Sequence, residues 1–194
     1  MKHVIRFVAV ILMLLAVGCA HKIDIGPPLN TIDGNGISKI NKTVGYYISP
    51  MDRTKEVISP GGGGDKVKYL PYQELEPALN KMLSNVFVKV VSLPAADDKQ
   101  FLADNNVSYV FMPAIETDSS SDSIFTWPPT KFTVNMECKA VNSSGKTLWQ
   151  RKISGEGQAV FSDFKHDFSL AARRASKNAF MKLQQEIISA KELQ

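Results

Sequence analysis

Cys19 is the residue of this chain whose position most clearly suggests chemistry. It ends a segment in which Lys2 and Arg6 give a positive start and residues 7–17 form an uninterrupted apolar core of about eleven residues. Such a core is too short to cross a hydrocarbon layer of roughly 30 Å as a helix. Its length, its positive flank and the small residues before the cysteine are typical of an export signal. The chemistry expected here is covalent modification of the Cys19 thiol, rather than catalysis.

The sequence LLAVGC at 14–19 resembles the lipobox of bacterial lipoproteins, although Ala16 stands where that family usually has leucine. The resemblance implies that residues 1–18 are removed and that Cys19 becomes a lipid-bearing N-terminus, with palmitate among its chains. Several acyl chains on one terminus anchor a protein firmly, whereas one chain binds reversibly. Ala20 is not the aspartate that marks inner-membrane retention in enterobacterial members, so we expect the outer membrane, with the protein facing the periplasm. An ordinary secretory signal that contains a cysteine is the alternative.

The charge of the chain argues against one class of partner. The full chain carries a net charge of +4, and removing the signal takes away Lys2 and Arg6 and no acidic residue, which leaves +2. Binding to nucleic acid is typically accompanied by lysine and arginine clustered on one face. We therefore expect no nucleic-acid partner.

The remaining residues suggest neither catalysis nor a cofactor. Cys138 alternates with polar residues in an apolar strand pattern, which favours a buried, inert thiol over a reactive or intermolecular one. His21 and His166 belong to no cluster of metal-ligand types. The glycines at 61–64 lack the lysine and helix start of a phosphate-binding loop. The sequence therefore predicts no catalytic residue, no metal, no cofactor and no enzymatic activity.

Three segments are predicted along the chain. Residues 1–18 form the signal. Residues 19–43 are rich in glycine, proline and short polar residues, without a sustained apolar period, and form the lipidated N-terminus and a flexible tether. A flexible segment of this length spans on the order of 25–30 Å. Residues 44–190 form a single folded domain.

Apolar periodicity predicts the elements of this domain. Large apolar side chains recur at steps of three and four residues up to Val86, which predicts a helix that starts near Leu75 with Pro77 in its first turn. Residues 131–141 and 146–160 form a hairpin, with Gly155 and Gly157 at a bulge or bend. A long C-terminal helix follows and docks on the sheet, although a membrane-surface helix is the alternative. Its apolar face contains Phe168, Ala172, Ala175, Ala179 and Leu183.

These elements predict an α+β domain, a two-layer sandwich in which a mainly antiparallel sheet carries two principal helices on one face. The hairpin through GKTLWQ at 145–150, the glycine-bearing strand and the alanine-rich helix resemble small periplasmic lipoproteins of the lipopolysaccharide-assembly auxiliary and YajG types. The resemblance covers about residues 66–190 and implies a binding module.

Ile124, Phe125 and Trp127 are the candidate partner-binding residues. They lie in a connection with serine and aspartate on one side and two prolines on the other, which indicates a loop. Large apolar groups on a loop either pack back onto the core or contact a partner.

The sequence thus favours a non-enzymatic, lipid-anchored periplasmic binding module. We expect membrane attachment through Cys19 and an envelope protein as partner, in an accessory role in outer-membrane assembly, transport or maintenance. A binder of lipid or glycan, such as lipopolysaccharide or peptidoglycan, is one alternative. A hydrolase is another.

Overall fold

The computed structural model describes residues 20–122 and 127–194, which form two sheets and several helices. The strands are β1 (Ala20–Lys22), β2 (Ile40–Tyr46), β3 (Val57–Pro60), β4 (Lys66–Tyr69), β5 (Phe87–Ser92), β6 (Val107–Ser120), β7 (Lys131–Val141) and β8 (Thr147–Gln158). The helices are α1 (Pro50–Arg53), α2 (Pro71–Val86), α3 (Lys99–Asp104), α4 (Phe161–Phe164) and α5 (Leu170–Ser189), with 3₁₀ turns at Leu29–Thr31 and Lys191–Leu193.

The large sheet has the strand order β5-β2-β6-β7-β8. Strand β2 runs parallel to both of its neighbours, whereas β6, β7 and β8 are antiparallel and form the two longest ladders. The predicted hairpin is confirmed, and Gly145 in its turn has φ +80°, a conformation that glycine adopts without strain. The small sheet has the order β1-β4-β3, in which β1 is parallel and β3 antiparallel to β4.

The predicted α+β class is confirmed, because α2 and α5 pack together on one face of the large sheet. The apolar side of α5 is buried, with Ala175, Ala179 and Leu183 at 0% exposure, so this helix is docked. The other face of the sheet is polar along β7, where Lys131, Asn135 and Lys139 are exposed. None of the helices in the described ranges has the length and hydrophobicity that a membrane-spanning segment needs.

The glycines of β8 bring α5 close to the sheet. A Cβ atom on Gly157 would overlap the carbonyl oxygen of Ala171, and one on Gly155 would overlap the carbonyl oxygen of Ala175. The pairing of β8 with β7 is regular at both glycines, so the predicted bulge or bend there is wrong. The glycines are required because the backbone of the helix packs directly on the backbone of the strand.

The segment predicted as a tether is part of the folded domain. β1 is paired in the small sheet, and Ile23, Ile25 and Ile32 are 3%, 0% and 1% exposed in the main core. The prediction of a flexible tether over 19–43 is therefore wrong for the residues that the structure describes. An irregular segment can bury isolated apolar side chains one at a time, so the absence of a period did not indicate flexibility. The core extends from Ile23 to Leu193, beyond the predicted limits of 44–190.

Candidate functional site

The first residues that the structure describes, from Ala20 onwards, are held in place by β1. Cys19, the predicted lipidation residue, lies outside the described residues. Ala20, which follows it, already pairs with Lys66, and His21 pairs with Val67. Successive Cα atoms are about 3.8 Å apart. A group carried by Cys19 is therefore attached directly beside the folded domain.

The segment after β1 is clamped to both principal helices. Glu74 on α2 accepts hydrogen bonds from the N–H groups of Ile25, at 2.9 Å, and Leu70, at 3.1 Å. Burial raises the pKa of Glu74, and the two backbone hydrogen bonds oppose this rise. The carboxylate of Asp24 lies 3.0 Å from the guanidinium of Arg173 on α5. These contacts hold Asp24 and Ile25 in one place on the domain.

Several segments meet where β1 begins. The N–H of Gly62 donates to the carbonyl of Trp127 at 2.8 Å, and the N–H of Ala159 donates to the carbonyl of Thr130 at 3.0 Å. The N–H of Asp24 donates to the hydroxyl of a serine just before α5, at 3.0 Å. We call this part of the molecule the anchor end. It consists of residues 20–21, 61–65, 127–130 and 159–169.

Trp127 is half-buried at the anchor end and packs against the main core. Its ring stacks on His21 with 4.2 Å between centroids and meets Phe168 edge-on at 4.6 Å. Contacts of this kind stabilise aromatic pairs. Of the two sequence alternatives, the described part of the loop shows packing, while part of the Trp127 surface stays open. Ile124 and Phe125 lie outside the described residues.

The anchor end also presents large apolar side chains to solvent. Val160, Phe161 and Phe168 are 62%, 68% and 45% exposed. Single exposed apolar residues are common on protein surfaces and need no explanation. Three at one end, beside a half-buried tryptophan, are typical of a surface that contacts a membrane or another protein.

Cys138 and the two histidines of the mature chain are the groups expected to be chemically inert. Cys138 is completely buried, so the predicted burial of this cysteine is confirmed, and burial raises the pKa of its thiol to about 12. Within residues 20–122 and 127–194, no three histidine, cysteine, aspartate or glutamate side chains are placed to hold a metal ion. The nearest approach of His21 to a carboxylate is 3.6 Å, from Nε2 to Oδ2 of Asp65.

Sequence reasoning missed His21 and Phe168 as neighbours of Trp127. The signal for His21 was present, because His21, Ile23 and Ile25 alternate with polar residues as in a strand. That alternation covers only five residues and lies among prolines and glycines. Phe168 was predicted on the apolar face of the C-terminal helix, but it lies before α5 begins at Leu170 and is 45% exposed, so that part of the prediction is wrong. Its position depends on how the chain turns between β8 and α5.

Comparisons with known proteins find similarity to solved structures alone. No protein-family model matches the chain, and no curated protein matches it. A Xanthomonas campestris protein of the DUF330 family model is 10% identical over 87% of this chain and 90% of its own, with a TM-score of 0.50. A Helicobacter pylori protein, a candidate homologue of the neuraminyllactose-binding hemagglutinin, is 16% identical over 89% and 94%, with a TM-score of 0.46. A candidate lipoprotein from Caulobacter crescentus is 10% identical over 83% and 92%, with a TM-score of 0.38. The first likeness supports a shared fold and no more, because the identity is too low to transfer a function.

Proposed function

We propose that this protein is a non-enzymatic, lipid-anchored binding module of the bacterial envelope. In this proposal residues 1–18 direct export and acyl chains on Cys19 hold the protein on the outer membrane, facing the periplasm. The observation that carries the proposal is that the chain enters the small sheet directly after Cys19. An anchor at that position holds the anchor end at the membrane surface, whereas a flexible tether would let the domain move away from it.

The partner in this proposal is an envelope protein at the level of the membrane surface. The half-buried ring of Trp127 and the exposed side chains of Phe161 and Phe168 provide aromatic surface of the kind that dominates protein interfaces. In this proposal the protein acts as an accessory factor in outer-membrane assembly, transport or maintenance.

Two of the surface depressions are open and offer an acyl chain no enclosed site. One, of about 360 Å³, lies on the polar face of the large sheet and is lined by Glu116, Asn135 and Lys152, among others. Another, of about 580 Å³, lies between β8 and α5 and is lined largely by polar and charged side chains such as Lys182 and Glu186. Neither encloses a volume in which an acyl chain could lose its contact with water, which is compatible with a protein partner.

The anchor is tested by comparing the wild-type chain with Cys19→Ala in fractionated cells fed labelled palmitate. We expect wild type to carry the label and to sediment with the outer membrane. We expect the variant to be unlabelled and to remain as a soluble periplasmic form or an uncleaved precursor, because the acyl chains supply the anchoring energy. Wild-type protein that is soluble and unlabelled would contradict the lipid anchor.

The partner surface is tested by photocrosslinking in intact cells. A benzoylphenylalanine replaces Phe161 in one form of the full chain and Val88 in the other. Val88 lies on β5 and is 57% exposed, so it matches Phe161 in accessibility. We expect a discrete envelope protein to be captured from position 161 and not from position 88. Capture from neither position, or the same products from both, would contradict the proposed surface.

Trp127→Ala separates packing from binding. If Trp127 contacts the partner, the variant loses the crosslink from position 161 at a temperature where circular dichroism shows it to be folded. A folded Trp127→Ala protein that crosslinks as well as wild type would remove Trp127 from the partner surface. A phenylalanine at the same position is the control, since it keeps an aromatic ring between His21 and Phe168.

A further inference from the structure

The register of the small sheet places three lysines on its outer face. Lys22 pairs with Lys68, and Lys66 lies two residues before Lys68 on the same strand. The alternate positions face the core, since Val67 is 0% and Ser59 7% exposed. We call the outer face of this sheet the lysine face. It consists of Ala20, Lys22, Ile58, Pro60, Lys66 and Lys68.

The three lysines are close enough to act together. Neighbouring strands lie about 4.8 Å apart and alternate residues of one strand about 6.7 Å apart. The Cα atoms of Lys22, Lys66 and Lys68 therefore fall within about 8 Å of one another. This separation is shorter than the Debye length of about 10 Å at 0.1 M salt. An anion that approaches the lysine face meets the combined field of three positive charges.

These lysines form no salt bridge within the described ranges, and the charge of Lys22 acts on Glu74, where it opposes the rise in the pKa of that carboxyl. Asp24 pairs with Arg173, and Glu74 accepts two backbone N–H groups. Asp65, next to Lys66, lies 3.6 Å from the imidazole of His21, a partner that carries charge only when it is protonated. Three lysines beside Asp65 and Glu74 leave this face with a net positive charge, which is complementary to an anionic surface.

We infer that the lysine face binds the anionic phospholipid head groups of the membrane that carries the anchor, and so fixes the orientation of the domain. This inference rests on the proposed acylation of Cys19. Ala20 belongs to the lysine face, so the acyl chains and the lysines reach the same membrane surface. Ile58 lies on the edge strand β3 opposite Lys68 and is 55% exposed, so it adds an apolar side chain beside the charges. Beside Lys66 an open depression of about 500 Å³ gives room for a head group.

The experiment separates the lysine face from the anchor. The mature chain, residues 19–194 with Cys19→Ser, is exported behind an ordinary secretory signal, and its fold is checked by circular dichroism. Its binding is measured by sedimentation with vesicles of phosphatidylcholine alone and with added phosphatidylglycerol. The test variant is Lys22→Gln/Lys66→Gln/Lys68→Gln. The control is Lys89→Gln/Lys146→Gln/Lys177→Gln, which removes the same charge from exposed positions elsewhere.

We expect phosphatidylglycerol to tighten binding of the parent chain by about fivefold for each lysine, or roughly 100-fold in all. The control triple variant should keep most of this gain and the test variant should lose it. Salt near 1 M should abolish the gain, because the Debye length falls to about 3 Å. Equal losses in both triple variants would mean that net charge alone acts, and would overturn the inference. Equal binding of the parent chain to both vesicle types would also overturn it.

Failure of the anchor and failure of the lysine face give different results. Palmitate on wild-type Cys19, together with a soluble chain that ignores phosphatidylglycerol, would refute the lysine face and keep the anchor. Selective binding of the soluble chain to phosphatidylglycerol, together with wild-type protein that carries no palmitate, would refute the anchor. It would also remove the reason for expecting the lysine face to lie at a membrane. A third outcome is that the protein fails to bind vesicles while its crosslink to an envelope protein is lost in the triple lysine variant. In that case the lysine face contacts a protein, and the phospholipid inference is wrong.

Discussion

Replacing Ile25 by alanine tests whether the N-terminal segment belongs to the domain. Ile25 is fully buried in the main core. The change removes three carbon atoms, which at about 0.8 kcal/mol for each buried methylene is about 2.4 kcal/mol of lost transfer free energy. The cavity that remains adds to this cost, so we expect the free energy of unfolding to fall by about 3 kcal/mol. For a domain of this size the melting temperature should fall by about 6–12 °C.

The assay is urea unfolding of the mature chain with Cys19→Ser, followed by circular dichroism. Leu29→Ala is the matched control, since Leu29 is also a large aliphatic residue of the same segment but is 43% exposed. We expect this control to cost well under 1 kcal/mol. If Ile25→Ala destabilises the chain no more than Leu29→Ala, the segment is not docked, and the argument that holds the domain at the membrane surface fails.

Further predictions concern the rest of the domain. Gly157→Ala should destabilise it by about 1–3 kcal/mol in thermal melts, because the new Cβ overlaps the carbonyl oxygen of Ala171, whereas Glu156→Ala on the exposed side should have little effect. A hydrogen bond from Arg53 lowers the pKa of Glu76, so this group stabilises the fold above its ordinary pKa of 4.5 and less as the pH falls through its folded value. Urea titrations should therefore find Glu76→Gln less stable than wild type at pH 7, and the difference should shrink as the pH is lowered below 4.5. With Cys19→Ser, Cys138 should resist a maleimide until urea unfolds the chain, and rapid labelling of the native protein would contradict its burial.

The sequence predicted the elements that have long, regular patterns. The alternation of β7, the turn residues before Gly145 and the alanine-rich side of α5 each repeat over many residues, and the structure confirms all three. The docking of α5 was predictable because a stripe of small residues suits close packing on a sheet.

The remaining errors arise where tertiary contacts override local pattern. The start of α2 was placed too late, because Pro71 begins the helix and Tyr72 extends its buried side, which leaves Pro77 inside the helix on an exposed position. The small sheet was not predicted as a separate sheet, because β1 and β4 pair across more than forty residues and each is very short. The lysine face depends on that pairing, so no single segment indicates it.

The measurement that tests the central claim most directly is the quenching of each tryptophan by nitroxide-labelled lipid head groups, with the lipidated protein in vesicles. Trp127 lies at the anchor end, whereas Trp149 lies nine residues before the end of β8, about 30 Å away along the strand. Trp149→Phe isolates the signal of Trp127, and Trp127→Phe isolates that of Trp149. If the domain is held at the membrane surface through Cys19, Trp127 is strongly quenched and Trp149 is not. Equally weak quenching of both would mean that the domain stands away from the membrane, and would contradict the account.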